Sequence, residues 1–367
     1  MSAPYRIGFI IEQALGHITH AKNLQENLSQ DPSVQPFWIL PEWGVSGLAA
    51  KIPVYRSNWT VRAGLRARRA IARVARTDKL DALFFHTQVT AVLAQDWLRR
   101  IPGIVSLDAT PLQYDRLGEF YGHEQGNEWL ERWKWRMNRD CFAAAQKIVT
   151  WSEWAKQGLV DEYEVPADKV TVISPGVNPA FWAQNEPREA GDPVKILFVG
   201  GNLERKGGNL LLDVFRSLRA ENSGSAANVE LHLVTKDVLP AEPGLSVYNN
   251  ILPNSPELRS LYHQSDIFCL PTKGDCFPMV LSEASAASLP VISTCVAAIP
   301  EIVREGVNGF LIEPGDYLAL KTVLNRLIVD PALRIRMGEE GAKIVQQDHD
   351  ALVNTTRLLN LLKGLIN

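Results

Sequence analysis

Lys195-Ile-Leu-Phe-Val199 leads into Gly200-Gly-Asn-Leu-Glu-Arg205-Lys206-Gly-Gly208, and that loop leads into the amphipathic stretch Asn209–Ala220. A short run of apolar residues is the mark of a strand buried on both faces. Glycines then let the backbone turn tightly and approach a ligand closely. Strand, glycine loop and helix in that order form the repeating unit of a parallel sheet covered by helices.

The same alternation runs outward in both directions. Toward the N-terminus, strand candidates are Arg6–Ile11, Pro36–Leu40, Ala82–Phe85, Gly103–Leu107, Lys147–Trp151 and Val170–Ile173. Toward the C-terminus, after Lys195–Val199, come Val229–Val234, Leu245–Tyr248, Ile267–Leu270, Val291–Ser293 and Phe310–Ile312. Helical patterns fall between them, at His17–Ser29, Ala91–Arg99, Asn209–Ala220, Tyr317–Val329 and Leu333–Gln347, with a last one at Ala351–Ile366. Two sets of six strands predict two doubly wound sheets. The stretch Gly176–Pro193, rich in Pro, Gly, Asn and acid, reads as the linker.

Composition agrees with a folded chain in two parts. The 367 residues are 46% hydrophobic and 22% charged, with net charge −3. That excludes a disordered chain and any bulk attraction for nucleic acid. All ten tryptophans lie between Trp38 and Trp182. Residues 1–183 carry 21 Lys/Arg against 19 Asp/Glu, and the remainder 17 against 22, so the halves are +2 and −5. Cys141, Cys269, Cys276 and Cys295 have no zinc-like spacing and read as thiols of a reducing compartment. The first apolar run, Ile7–Ile11, is stopped by Glu12, which makes it a strand rather than a signal peptide.

Four constellations carry chemistry. In Pro271-Thr-Lys-Gly-Asp275-Cys-Phe-Pro278-Met-Val-Leu-Ser-Glu283, a helix opens near Pro278 and two carboxylates flank its start. The free N–H groups there suit an anion, and paired carboxylates suit sugar hydroxyls. Spacing alone equally allows a loop acid and a solvated helix face. Arg205 and Lys206 offer phosphate contacts or form a plain basic turn. Gly16 and His17 lie in a glycine loop between first strand and first helix. His86 stands at the carboxyl end of its strand, where open sheets place ligands, though a lone histidine also serves structure.

Together these residues resemble the retaining GT-B glycosyltransferases of family 4, glycosyl transferases group 1. Asp275–Glu283 is similar to that family's E-x7-E signature, with Asp for the first Glu. Pro290-Val-Ile-Ser-Thr, Ile299-Pro300-Glu301-Ile-Val and Glu305-Gly-Val-Asn-Gly309-Phe-Leu-Ile-Glu-Pro-Gly315-Asp316 resemble its downstream blocks. Ser174-Pro-Gly176-Val177-Asn178 resembles its linker, and Val199-Gly200 through Lys206-Gly207 its phosphate loop, with Gly201 where the family usually has Arg. The likeness is close over about residues 145–345 and looser before them.

The resemblance implies an α/β GT-B fold of two Rossmann-like doubly wound domains facing across a cleft. Residues 1–177 would bind the acceptor, with 351–367 returning to pack on them, and 190–345 would bind the donor. The reaction implied is transfer of a sugar from a nucleotide diphosphate sugar to an acceptor hydroxyl, with retention, and with neither metal nor other cofactor. Glu283 would hold the ribose and Asp275 the sugar hydroxyls. Backbone at Phe277, Pro278, Met279 and Val280 would meet sugar and phosphates. Lys206, joined by Arg205, would neutralise the diphosphate, Gly16 would admit it, and His86 would lie beside the transferred sugar. The readings set against this one are a GT-B epimerase or phosphorylase, and a sugar-binding module without turnover.

The acceptor is expected to be a glycan, a lipid-linked sugar or a small molecule. Its residues are sought at His17 and in the segment Ser106–His123, above all Asp108 and Tyr114. Val61–Arg76 holds six arginines and no acid. It reads either as a solvated helix or as a basic amphipathic helix on an anionic membrane surface. The place expected is the cytoplasm, with peripheral contact at the inner face of the membrane in the second case. Trp129, Trp133 and Trp135 read as helix core rather than as a sugar platform. Asp348-His-Asp350 reads as the cap of the last helix rather than a metal site.

Overall fold

The computed structural model describes residues 3–14, 16–45, 51–118, 126–184, 193–221 and 229–366. The chain divides into two units, Met1–Pro175 with Ala351–Asn367, and Gly176–Asp350. Residues 185–192 of the expected linker and 119–123 of the expected acceptor segment lie outside the described residues.

The first unit is built on β1 (Tyr5–Ile11), β2 (Val34–Ile39), β3 (Ala82–His86), β4 (Gly103–Leu107), β5 (Lys147–Thr150) and β6 (Val170–Val172). They form one parallel sheet in the order β2-β1-β3-β4-β5-β6. Successive side chains point to opposite faces. Phe84 therefore joins a core with Phe9, Leu24 and Leu362, while its neighbour Phe85 joins another with Ile71, Phe142 and Leu159. Both faces being covered explains why the inner strands read as nearly all apolar, as at Ile7–Ile11 and Ile267–Leu270. The helix Ala351–Ile366 supplies Leu358, Leu359 and Leu362 to the first of these cores, beside the helix His17–Leu28.

The second unit holds β7 (Val194–Val199), β8 (Val229–Val234), β9 (Leu245–Tyr248), β10 (Ile267–Leu270), β11 (Val291–Thr294) and β12 (Gly309–Ile312). The order is β12-β11-β10-β7-β8-β9, again parallel throughout. In both sheets the first strand has its successor on one side and a later strand on the other. The strand order reverses between β1 and β3, and between β7 and β10. Such a reversal opens a crevice at the carboxyl ends of the two strands.

Two expectations need correction. The helix expected over Ala91–Arg99 is two short ones, Gln88–Ala91 and Gln95–Leu98. Between them the Gln95 amide donates to the Val92 carbonyl, which a continuous helix would have used. Trp129 and Trp133 are not core: they are 72% and 49% exposed. They lie on the opposite side of the helix Glu128–Ala144 from buried Phe142 and from Trp135, which stacks on Tyr163. The arginine-rich helix spans Trp59–Val74, and its apolar side, Ala63, Ala67 and Ile71, is fully buried. Arg62 is buried too, donating to the carbonyls of Tyr55 and Arg56.

The late helix placed in the first unit gives a direct test. Leu362 is fully buried, so Leu362→Ala should lower stability by about 2–5 kcal/mol. Leu352→Ala, on the same helix but 56% exposed, should change it by less than about 0.5 kcal/mol. Chemical denaturation checks both, and equal effects would show that the segment is no part of the core.

Candidate active site

In the second unit the loop after β7 and the loop after β10 are laced together. The Lys273 amide donates to the Arg205 carbonyl at 2.9 Å, and the Arg205 guanidinium donates to the Gly274 carbonyl at 2.9 Å. Gly207 has φ +74°, and a Cβ there would meet the Pro271 carbonyl oxygen at 1.9 Å. Only glycine allows the two loops this approach. The result is an ion pair spanning the crevice: the Lys206 ammonium donates to the Asp275 carboxylate, both side chains being 13% exposed. Burial pushes the Lys206 pKa below its ordinary value, against the opposing pull of Asp275.

Directly beyond Asp275 the chain enters the helix Met279–Ala286, with Pro278 at its N-cap and no side-chain cap. Cys276, Phe277, Pro278 and Met279 are buried and Val280 is half-buried. Glu283, one turn into that helix, is also buried, and accepts a hydrogen bond from the Tyr262 hydroxyl at 3.0 Å. Burial raises the Glu283 carboxyl to about 7, with the Tyr262 bond opposing. Tyr262 itself is held by the ring of Phe268, stacked at 5.6 Å, and by Trp182 at 5.1 Å. Tyr262 was not anticipated from the sequence, because it comes from the helix Pro256–Gln264 and carries no motif.

The first unit gathers its own polar cluster at the ends of β1, β3, β4 and β5. The His86 Nε2 and His17 Nδ1 are 2.8 Å apart and share a hydrogen bond. The His86 ring lies flat on Trp151 at 4.7 Å, with His20 edge-on to both. Asp108 accepts from the Tyr114 hydroxyl at 2.8 Å. Glu12 accepts from the Trp59 indole and from the Thr87 hydroxyl. Burial dominates the electrostatics. It lowers His20 to about 3 and His86 well below its ordinary value, and raises Asp108. The His86 Nδ1, both His20 ring nitrogens and the Asp108 Oδ1 are buried with no hydrogen-bond partner among the described residues.

The expected residues His86, His17, Asp108 and Tyr114 thus meet in one unit, and Lys206, Arg205, Asp275 and Glu283 in the other. Gly16 begins the helix His17–Leu28 with φ −65°, and a Cβ there would meet nothing within 4 Å. Neither strain nor packing requires glycine at that position. Glu12, His20, Thr87 and Trp151 were missed. Their signal was position: each follows the end of an inner strand or opens the helix after it. Asp348 pairs with Arg304, and Asp350 directly precedes the last helix.

Glu283 carries a pH dependence. A carboxyl with its folded pKa near 7 and an ordinary value of 4.5 is held protonated by the fold. The stability this contributes is full below pH 4.5 and is lost as pH rises to about 7, amounting to roughly 3 kcal/mol. Glu283→Gln should be more stable than the parent at pH 8 and should flatten that part of the pH–stability curve. Parallel curves for parent and variant between pH 4.5 and 8 would contradict it.

The family described as Glycosyl transferases group 1 matches residues 193–330, and Glycosyltransferase Family 4 matches residues 18–181. The D-inositol 3-phosphate glycosyltransferase of Corynebacterium efficiens is 29% identical over 206 residues, which are 50% of this chain and 49% of that protein. The chain spans about half the length of the curated relatives it matches. Among solved structures, a glycosyltransferase from Rickettsia africae superposes with a TM-score of 0.72 at 16% identity, over 100% of both chains. HepE of Anabaena, solved with UDP-glucose, gives 0.69 at 15% identity, over 98% of this chain and 99% of that one. These likenesses establish the fold as GT-B, with two Rossmann-like parallel sheets. The two sequence matches, one on each unit, support a group 1, family 4 glycosyltransferase.

Proposed function

We propose that this chain is a retaining glycosyltransferase that moves a sugar from a nucleotide diphosphate sugar to an acceptor hydroxyl without a metal. The observation that carries the reading is the Lys206–Asp275 pair at the mouth of an uncapped helix, with Glu283 one turn behind. Breaking the anomeric bond leaves negative charge on a diphosphate. Lys206, the neighbouring Arg205 and the N–H groups at Phe277–Val280 would stabilise it. On the donor's arrival Lys206 turns from Asp275 to phosphate, which frees the carboxylate for sugar hydroxyls. Glu283 takes the ribose hydroxyls. The acceptor hydroxyl attacks from the face the diphosphate leaves, giving retention.

The first unit is the acceptor side in this reading, with His86 beside the transferred sugar and His17, Asp108 and Tyr114 toward the acceptor. A glycan, a lipid-linked sugar or a small molecule fits such a cluster of carboxylates, rings and histidines. HepE, solved with UDP-glucose, makes a uridine diphosphate sugar the first donor to try.

Calorimetry with a panel of nucleoside diphosphates tests the proposal, and no binding at millimolar concentration would overturn it. Binding without donor turnover, unchanged by Glu283→Ala, would instead favour a sugar-binding module. Lys206→Ala should cut turnover far more than donor affinity, because charge develops in the transition state. Equal losses in both would remove that role. Gly16→Ala should leave thermal stability unchanged, since the space is open, yet weaken donor binding if the diphosphate approaches that backbone. A donor affinity equal to the parent's would exclude Gly16 from the site.

A further inference from the structure

The helix Glu128–Ala144 begins with two turns that the first unit leaves uncovered. Trp129 is 72% exposed, Trp133 49% and Leu130 37%. Trp129 and Trp133 are four residues apart, so they share one side of the helix. Arg132 and Arg136 flank them, are exposed, and have no ion-pair partner among the described residues. The other cations of this helix are engaged: Lys134 pairs with Glu131, and Arg139 with Glu164. Glu128 lies before this face and Asp140 a turn beyond it. Water-exposed indoles are costly unless something covers them, and two side by side on a convex ridge form no pocket.

We infer that the face made by Trp129, Leu130, Trp133, Arg132 and Arg136 rests on an anionic lipid surface. Tryptophan sits well at the headgroup level, where its ring is apolar and its N–H stays wet. Arginines on the same side meet lipid phosphate, and their charge is complementary to an anionic leaflet. No helix among the described residues is long and apolar enough to cross a membrane, so the contact is one of lying on the surface. The helix Trp59–Val74, the arginine-rich one, cannot do this in the same way, because its apolar side is spent on the core. This inference stands apart from the proposed reaction and survives its failure.

Vesicle co-sedimentation of the full chain tests it. The protein should bind phosphatidylcholine vesicles containing about a third phosphatidylglycerol, release as salt rises, and ignore phosphatidylcholine alone. Trp129→Ser with Trp133→Ser, and separately Arg132→Glu with Arg136→Glu, should each weaken binding by about tenfold or more at unchanged melting temperature. All four side chains are on the surface, so these variants fold. Arg69→Glu with Arg73→Glu, on the other helix, should keep binding within about threefold. Failure of the parent to bind the anionic vesicles overturns the inference. So does full binding by both double variants, or loss confined to the Arg69/Arg73 variant. A shift of indole emission on adding soluble dextran, with no quenching by brominated lipid, would overturn it too, and would make the ridge a glycan platform.

Discussion

A parallel sheet covered on both faces has no room for chemistry along its strands. Every side chain from Ile7 to Ile11 apart from Gly8, or from Ile196 to Phe198, is committed to packing. Polar groups can collect only where the strands end, and they find space only where neighbouring connections leave in opposite directions. The whole arrangement depends on that constraint. It operates twice in this chain, between β1 and β3 and between β7 and β10. At each place one side chain reaches across from one loop or strand end to the other: His17 to His86 in the first unit, Lys206 to Asp275 in the second.

Burial then sets the electrostatics of what has collected. In the first unit it keeps His20 and His86 neutral and holds the Asp108 carboxyl above its ordinary range. In the second it disfavours charge on both Lys206 and Glu283. A buried pair is worth little by itself but is costly to break one-sidedly. Lys206 and Asp275 therefore hold each other, and in the proposed reaction a phosphate would replace the carboxylate beside the lysine and hydroxyls the ammonium beside the carboxylate. One turn further in, the Glu283 carboxyl is held by a single hydrogen bond from the Tyr262 hydroxyl.

Much of this was legible in advance. The strands could be read because burial leaves short, mostly apolar runs between turn residues and helical stretches. Lys206, Asp275 and Glu283 could be read because they fall within ordered motifs on either side of strand ends. Tyr262 could not, since an aromatic residue in a buried helix looks like core whether or not it also holds a carboxylate. Trp129 and Trp133 failed for the reverse reason. Composition marks tryptophan as core, and only the facing of one helix leaves these two outside. The arginine-rich helix shows the same limit: its composition marks it as amphipathic, but a pattern does not say whether its apolar side meets a core or a lipid.

By itself, the sequence determined the element order, the parallel character of both sheets, the division into two halves and the residue types at the strand ends. Those follow from local rules: periodicity, turn residues and apolar run length. The tertiary structure alone decided that Leu358, Leu359 and Leu362 carry Ala351–Ile366 into the first unit's core, and that Lys206 is paired with Asp275 and Glu283 with Tyr262. It alone decided which tryptophans face water. The physical reason is distance along the chain. Lys206 and Asp275 are 69 residues apart, and Asn27 and Thr355, joined by a hydrogen bond in the first unit, are 328 apart. No local pattern encodes such partners, which meet only once two sheets have closed their cores.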